Sequence, residues 1–294
     1  MRKKIILSFI VSMTVVGLLS FTAGMEYQRG DVNQDGSVSI KDVTCLIDYL
    51  LSGTWGDEPV TPEEPQDETF IVNGVTFNMV AVEGGTFMMG ASEDDTEADN
   101  REVPAHEVTL SSFSIGQTEV TQALWQAVMG SNPSHFLDIV SPVETVTWDD
   151  CQTFITNLNQ ITGRNFRLPT EAEWEFAARG GKLGQGYKYA GGNTIGDVAW
   201  YYGNSRSSTH AVATKAPNEL GLYDMSGNVL EWCQDWFDYY SDAAQTNPTG
   251  PSLGTYRVCR GGSFGSAASS CRVSFRVNYT PTIKGSYLGL RLAM

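Results

Sequence analysis

The chain has 294 residues, 41% of them hydrophobic and 18% charged, and carries a net charge of −15 at pH 7. That length holds one large domain with its own core plus a small appendage. The negative charge repels phosphate backbones and anionic lipid, so no nucleic acid or acidic membrane surface is an expected partner.

The N-terminus reads as an address. Arg2, Lys3 and Lys4 precede an apolar run over residues 5–21, and Ala23 with Gly24 then offers a small-residue cleavage point. This is the pattern of a secretory signal over residues 1–24. The run is near the minimum length for a membrane span, but no basic stop-transfer cluster follows it, so no stable membrane anchor is expected. The mature chain is then secreted, periplasmic or at the cell surface. Export implies an oxidising compartment, where Cys45, Cys151, Cys233, Cys259 and Cys271 matter. Five cysteines is an odd number, so at least one stays free or pairs between chains. They show no CxxC or Cys/His spacing of a zinc site.

Over residues 25–53, Asp31, Asn33, Asp35, the backbone of Ser37, Ser39 and Asp42 fall at positions 1, 3, 5, 7, 9 and 12 of a calcium loop, with Gly36 at the sharp turn. Converging oxygens suit a hard cation, because the clustered negative charge is otherwise self-repulsive. A bare acidic loop is the alternative, and it rarely fills every position. With Asp42 in place of Glu and Val43, Leu46, Ile47, Leu50 and Leu51 behind it, the segment resembles a dockerin repeat. Dockerins carry two such repeats and bind a cohesin; this chain has one, which offers a cohesin-like partner half of the usual helix pair. A calcium-stiffened stalk or a docking helix for the main domain are the other readings. Residues 54–68, acidic and proline-containing, form an extended, self-repelling linker.

From residue 69 onward the pattern is α+β with many loops. Residues 77–82 and 86–90 read as strands around the Gly84-Gly85 turn, and residues 108–115 as one further strand. Helices are expected over residues 121–129, 148–161 and 170–179, the last with a capping box of Thr170 and Glu173 and a stop at Gly180-Gly181. Beyond Gly184, loops and short strands dominate.

Four motifs then occur in a fixed order: Arg167-Leu168-Pro169-Thr170-Glu171-Ala172-Glu173-Trp174-Glu175, Gly221-Leu222-Tyr223-Asp224-Met225-Ser226-Gly227-Asn228-Val229-Leu230-Glu231-Trp232, Arg260-Gly261-Gly262-Ser263-Phe264, and Leu288-Gly289-Leu290-Arg291. Together they resemble the formylglycine-generating enzyme, or sulfatase-modifying factor, family over residues 69–294. The resemblance implies a C-type-lectin-like fold of low regular secondary structure, stabilised by calcium. Catalytic members oxidise a substrate cysteine to formylglycine with oxygen and a copper ion held by two cysteines. Soft thiolates suit Cu(I).

Carried over residue by residue, the resemblance places Cys271 at the second catalytic cysteine, Ser263 in the Gly-Gly-Ser turn, and Ser266 where the first cysteine belongs. A serine hydroxyl binds Cu(I) poorly, so the two-thiolate copper site is broken. Rescue by Cys259 would require it to lie beside Cys271. The family's calcium ligands correspond to Asp224, Gly227, Val229 and Glu231; the alternative is that Asp224 and Glu231 cap loops. Leu230 replaces a tryptophan common in the family, and Ile155 and Ala178 replace cysteines of its structural disulfides, so Cys45, Cys151 and Cys259 read as buried free thiols.

Other chemistry fails on position. Gly261-Gly262-Ser263-Phe264-Gly265 fits a nucleophile elbow, but no histidine follows it, and His106, His135 and His210 read as scattered surface or loop residues. The acidic stretch 93–99 lacks calcium spacing and reads as a solvated loop. The expected function is an exported, calcium-stabilised module that binds a peptide or glycan ligand without turnover. The alternative is an active formylglycine-generating or related oxidoreductase using Cys271.

Overall fold

Residues 66–92 and 95–294 are described by a computed structural model of the chain. The signal run, the Asp31–Asp42 loop, Cys45 and most of the linker lie outside the described residues.

Each expected helix begins where a threonine satisfies free amides. Thr121 accepts from the Leu124 amide at 3.2 Å to open α1 (Gln122–Met129), and Gly130 closes it in the left-handed region. Reciprocal capping boxes open α2 (Trp148–Thr162, Thr147 with Asp150) and α3 (Glu171–Ala178, Thr170 with Glu173). α2 is amphipathic, burying Cys151, Phe154, Ile155 and Leu158 at helical spacing. α3 behaves differently: all 8 residues are buried, its three glutamates included. A short α4 (Ile195–Val198) follows.

The strands β1 (Glu68–Val72), β2 (Val75–Val82), β3 (Gly85–Met89), β4 (His106–Leu110), β5 (Phe113–Gly116), β6 (Leu230–Trp236), β7 (Gln245–Thr246), β8 (Arg257–Arg260), β9 (Arg276–Tyr279) and β10 (Leu288–Leu290) form three small sheets among the described residues, ordered β1-β2-β5, β3-β4-β7 and β10-β6-β8-β9. The single strand expected over residues 108–115 is in fact two, in different sheets. β4 pairs with β3 and β5 with β2. The Ser111 amide donates to Asn247 Oδ1 at 2.8 Å and Ser112 Oγ accepts from the Gly84 amide at 3.0 Å, so the chain crosses between sheets at the serine pair. The deeply buried apolar residues shift accordingly, from even positions at Val108 and Leu110 to odd ones at Phe113 and Ile115.

One core gathers α1, α2 and the β6/β10 strands, with Trp125 stacked on Phe154 at 4.8 Å. A second surrounds α3. The four described cysteines are free and buried, as expected for Cys151 and Cys259. Ile155 and Ala178 fill core positions instead of disulfides, and Leu230 is buried in the first core. The cores also enclose arginine–glutamate pairs: Arg260 with Glu175, Arg276 with Glu171 at 2.6 Å, Arg291 with Glu231 at 2.8 Å and Arg272 with Glu102 at 2.7 Å. A buried guanidinium persists only where a carboxylate and backbone carbonyls replace its water. His106 is a further correction: it is buried on β4, its ring against Tyr240 at 4.7 Å, rather than at the surface. No helix among the described residues is long and apolar enough to cross a membrane.

Candidate functional site

β8 ends at Arg260, and Gly261 and Gly262 turn the chain with φ of 92° and 73°. A Cβ on Gly262 would stand 2.4 Å from the Ser270 carbonyl oxygen and 2.8 Å from Cys271 Sγ. Only glycine lets this turn lie against the Ala268–Cys271 3-10 turn that carries the cysteine. The Ser263 amide donates to Ser266 Oγ at 2.9 Å, the two hydroxyls are 3.1 Å apart, and the Ser266 amide returns to the Ser263 carbonyl at 2.9 Å.

Cys271 is fully buried beside Tyr189, Val198 and Ala199. Burial pushes its thiol up to about 12, with the Ser263 amide acting in the opposite direction. Ser266 and Cys271 therefore both lie against the Ser263 amide. Burial thus favours the protonated thiol, the poorer nucleophile, at neutral pH. The residues do not fit a two-thiolate copper centre. Cys259 does not mend it: it packs in the first core, away from the cluster that holds Cys271.

The second candidate set lies on the loop into β6. Asp224 adopts a φ of 59°; its Oδ2 accepts from the Ala213 amide at 2.7 Å, while its Oδ1 is buried with no partner. Burial raises its carboxyl to about 6. The Gly227 amide donates to the Gly261 carbonyl at 2.8 Å, tying this loop to the Gly-Gly turn. A Cβ on Gly227 would meet the Trp200 carbonyl oxygen at 2.3 Å. The Val229 amide donates to Glu119 Oε1 at 2.9 Å. Glu231 accepts from Trp174 Nε1 at 2.6 Å and from Arg291 Nη2 at 2.8 Å.

Calcium therefore fits this loop in part. The open Asp224 oxygen is what a cation would satisfy, but the Glu231 carboxylate is already neutralised by Arg291 and does not fit as a ligand. Among the described residues, no group of three or more His, Cys, Asp or Glu side chains is arranged to hold a metal. Glu119, which sequence reasoning missed, is fully buried and braces the loop through Asn228 Nδ2 at 2.7 Å as well as Val229. Burial, with Asp224 and Glu231 nearby, holds its carboxyl well above the usual range.

An apolar rim adjoins the serine turn. Phe264 meets the Phe136 ring edge-on at 5.4 Å, and beyond it Leu137, Ile139 and Val140 are 77%, 61% and 51% exposed. Tyr202 is largely exposed and its amide donates to the Ser266 carbonyl at 3.0 Å; the Val212 amide binds the Val140 carbonyl at the same length. Sequence reasoning passed over this rim because residues 136–140 have no strand or helix period. The acidic stretch is also not simply solvated: Asp95 accepts from Arg272 at 2.8 Å and Glu97 from Lys188 at 2.9 Å. Arg272 follows Cys271 directly, so these carboxylates hold the cysteine's neighbour in place.

Over residues 69–294 the chain matches the family described as sulfatase-modifying factor enzyme 1-like domain. It is similar to the chaperone protein LppX of Paenibacillus barcinonensis, 34% identical over 268 residues that cover 74% of this chain and 89% of that protein. It is also similar to the formylglycine-generating enzyme of Streptomyces coelicolor, 30% identical over 287 residues covering 74% and 89%. Among solved structures it is similar to Treponema denticola variable protein 1, with a TM-score of 0.73 and 36% identity over 78% of this chain and 99% of that one. These likenesses agree with the expected α+β, C-type-lectin-like architecture.

Proposed function

This chain belongs to the sulfatase-modifying factor family, and from that premise we propose that it is an exported, calcium-stabilised member that binds peptides without oxidising them. The observation that carries the reading is Ser266 standing in the turn beside a buried Cys271. Formylglycine-type chemistry needs a thiolate pair there, and the alternative oxidoreductase reading lacks the second thiol because residue 266 is serine. The names of similar proteins already include a chaperone as well as an enzyme, so the domain type is not tied to one activity.

A peptide fits the rim better than a glycan. Leu137, Ile139 and Val140 are aliphatic and exposed together, which favours apolar side chains over sugar faces, and contiguous exposed apolar surface marks interaction sites. Panning a random peptide library on the protein is expected to enrich apolar sequences, and Leu137→Asp is expected to weaken the selected peptide roughly tenfold, about 1.4 kcal/mol. Selection from a glycan array with no peptide enrichment would reverse the ligand class.

Calcium enters the proposal at Asp224, with the Asp31–Asp42 loop as a second site outside the described residues. Chelation is expected to lower the tryptophan-fluorescence melting temperature by several degrees. Calcium at a hundredfold excess over its Kd should restore about 2.7 kcal/mol. Asp224→Asn removes the response; an unchanged melt in EDTA would dismiss calcium from this loop.

A further inference from the structure

A cavity of about 370 Å³ opens on another part of the domain, with Met89, Trp236, Tyr239, Tyr240, Pro248 and Pro251 among its walls. That is within the size range of small-molecule sites. Its polar lining is unusual in what it leaves open. Arg276 has four of its five donors committed: Nε and Nη2 bind Glu171 at 2.7 and 2.6 Å, and Nη1 binds the carbonyls of Arg101 and Asp238 at 3.0 and 2.8 Å. The Tyr240 hydroxyl is committed to Glu171 at 3.2 Å.

Two buried side chains are different. Asp235 is 4% exposed; its Oδ2 accepts from the Glu171 amide at 2.9 Å, which leaves Oδ1 with no protein donor. His106 is 2% exposed; its Nδ1 is 3.3 Å from the Pro104 carbonyl oxygen, which can only accept, so in the neutral ring Nδ1 donates and the Nε2 lone pair has no protein partner. Both residues line the cavity. The open atoms of these two buried side chains are therefore acceptors.

We propose that this cavity, lined by Asp235 and His106 beside Tyr240, is a binding site for a small primary amine in its ammonium form. A carboxylate withdrawn from water gains most from a charged donor. An anion would meet the Asp235 carboxylate as a like charge, and a neutral alcohol leaves the carboxylate charge uncompensated. The aromatic and proline walls take the carbon body of the amine. This site is independent of the peptide-binding reading and shares no residue with it.

Protonation supports the assignment. Burial and the neighbouring carboxylates of Glu171 and Glu173 raise Asp235 to about 7, against the opposing Glu171 amide and Arg276. Arg257 also feels the Asp235 charge, and His106, Asp238, Tyr239 and Tyr240 complete the titratable lining. An ammonium favours ionised Asp235, while alkylamines stay protonated to about pH 10. Affinity must then rise by about tenfold from pH 6 to pH 8, as the fraction of ionised Asp235 does.

The test is calorimetric titration of the full mature chain with butylamine, putrescine and the neutral probe 1-butanol. The amines are expected to bind, more tightly at pH 8 than at pH 6, and butanol is not. Asp235→Asn is expected to abolish binding. Ser241→Trp, at an exposed position on the lining, should block the mouth without touching the buried network, so it serves if the first variant fails to fold. Butanol binding as well as the amines do, or amine binding unchanged in folded Asp235→Asn or in Ser241→Trp, overturns the proposal.

Discussion

Arg291→Met will cost the domain about 3–5 kcal/mol, the usual loss when one partner of a buried ion pair is removed. Arg291 is fully buried and Glu231 with it. Its Nε and Nη2 reach Glu231 at 2.8–3.1 Å, Nη1 donates to the Gly116 carbonyl at 2.8 Å, and Nη2 also donates to the Tyr223 carbonyl at 2.8 Å. One guanidinium thus joins β5, β6, β10 and the Asp224 loop. It also lies near Glu119 and Asp224, whose charges raise its own affinity for the proton. Methionine fills the space but leaves three carboxylates in the core without a cation. Arg291→Lys recovers only part of the loss, because an ammonium cannot fork to a carboxylate and two carbonyls. Urea unfolding followed by tryptophan fluorescence measures it; a loss under about 1 kcal/mol would mean that the cluster is held by something else.

This pair shows what the sequence exposed and what it hid. Glu231 and Arg291 were visible as members of fixed motifs, but their partnership was not: they are 60 residues apart. The same is true of α3. Its capping box and glycine stop marked both ends, yet no periodicity separates a solvated glutamate from one buried against Arg276 or Arg260. The strand break at Ser111-Ser112 was legible in principle, since the apolar parity changes there, but the apolar/polar alternation on either side of it reads as one continuous strand. At the candidate site, local spacing placed Ser263, Ser266 and Cys271 together because the Gly-Gly turn is a short-range device. Glu119 and the rim at Leu137 come from distant segments brought in by folding, and nothing local announces them. Cysteine spacing likewise could not tell that Cys259 points into a different core from Cys271.

Ser266→Cys is expected to raise Cu(I) affinity roughly a hundredfold, the upper end of what single groups around a metal site contribute. The Ser263 amide is the reason: it donates to Ser266 Oγ at 2.9 Å and also stabilises the Cys271 thiolate. A sulfur at residue 266 would sit across that amide from Cys271 Sγ, on a half-buried position where a thiol ionises more readily than one sealed in the core. Cu(I) then supplies the charge that the buried Cys271 lacks, pulling its proton off as thiolate ligation does. Competition against a chromogenic Cu(I) chelator reads the gain, and adding Cys271→Ser to the variant should return affinity to the wild-type level. Copper-loaded wild-type protein should meanwhile leave a cysteine peptide unchanged by mass. If it converts the thiol to an aldehyde, the serine is no lesion and the peptide-binding reading falls. If the variant gains no copper, the two side chains do not face each other and the turn has lost more than one sulfur.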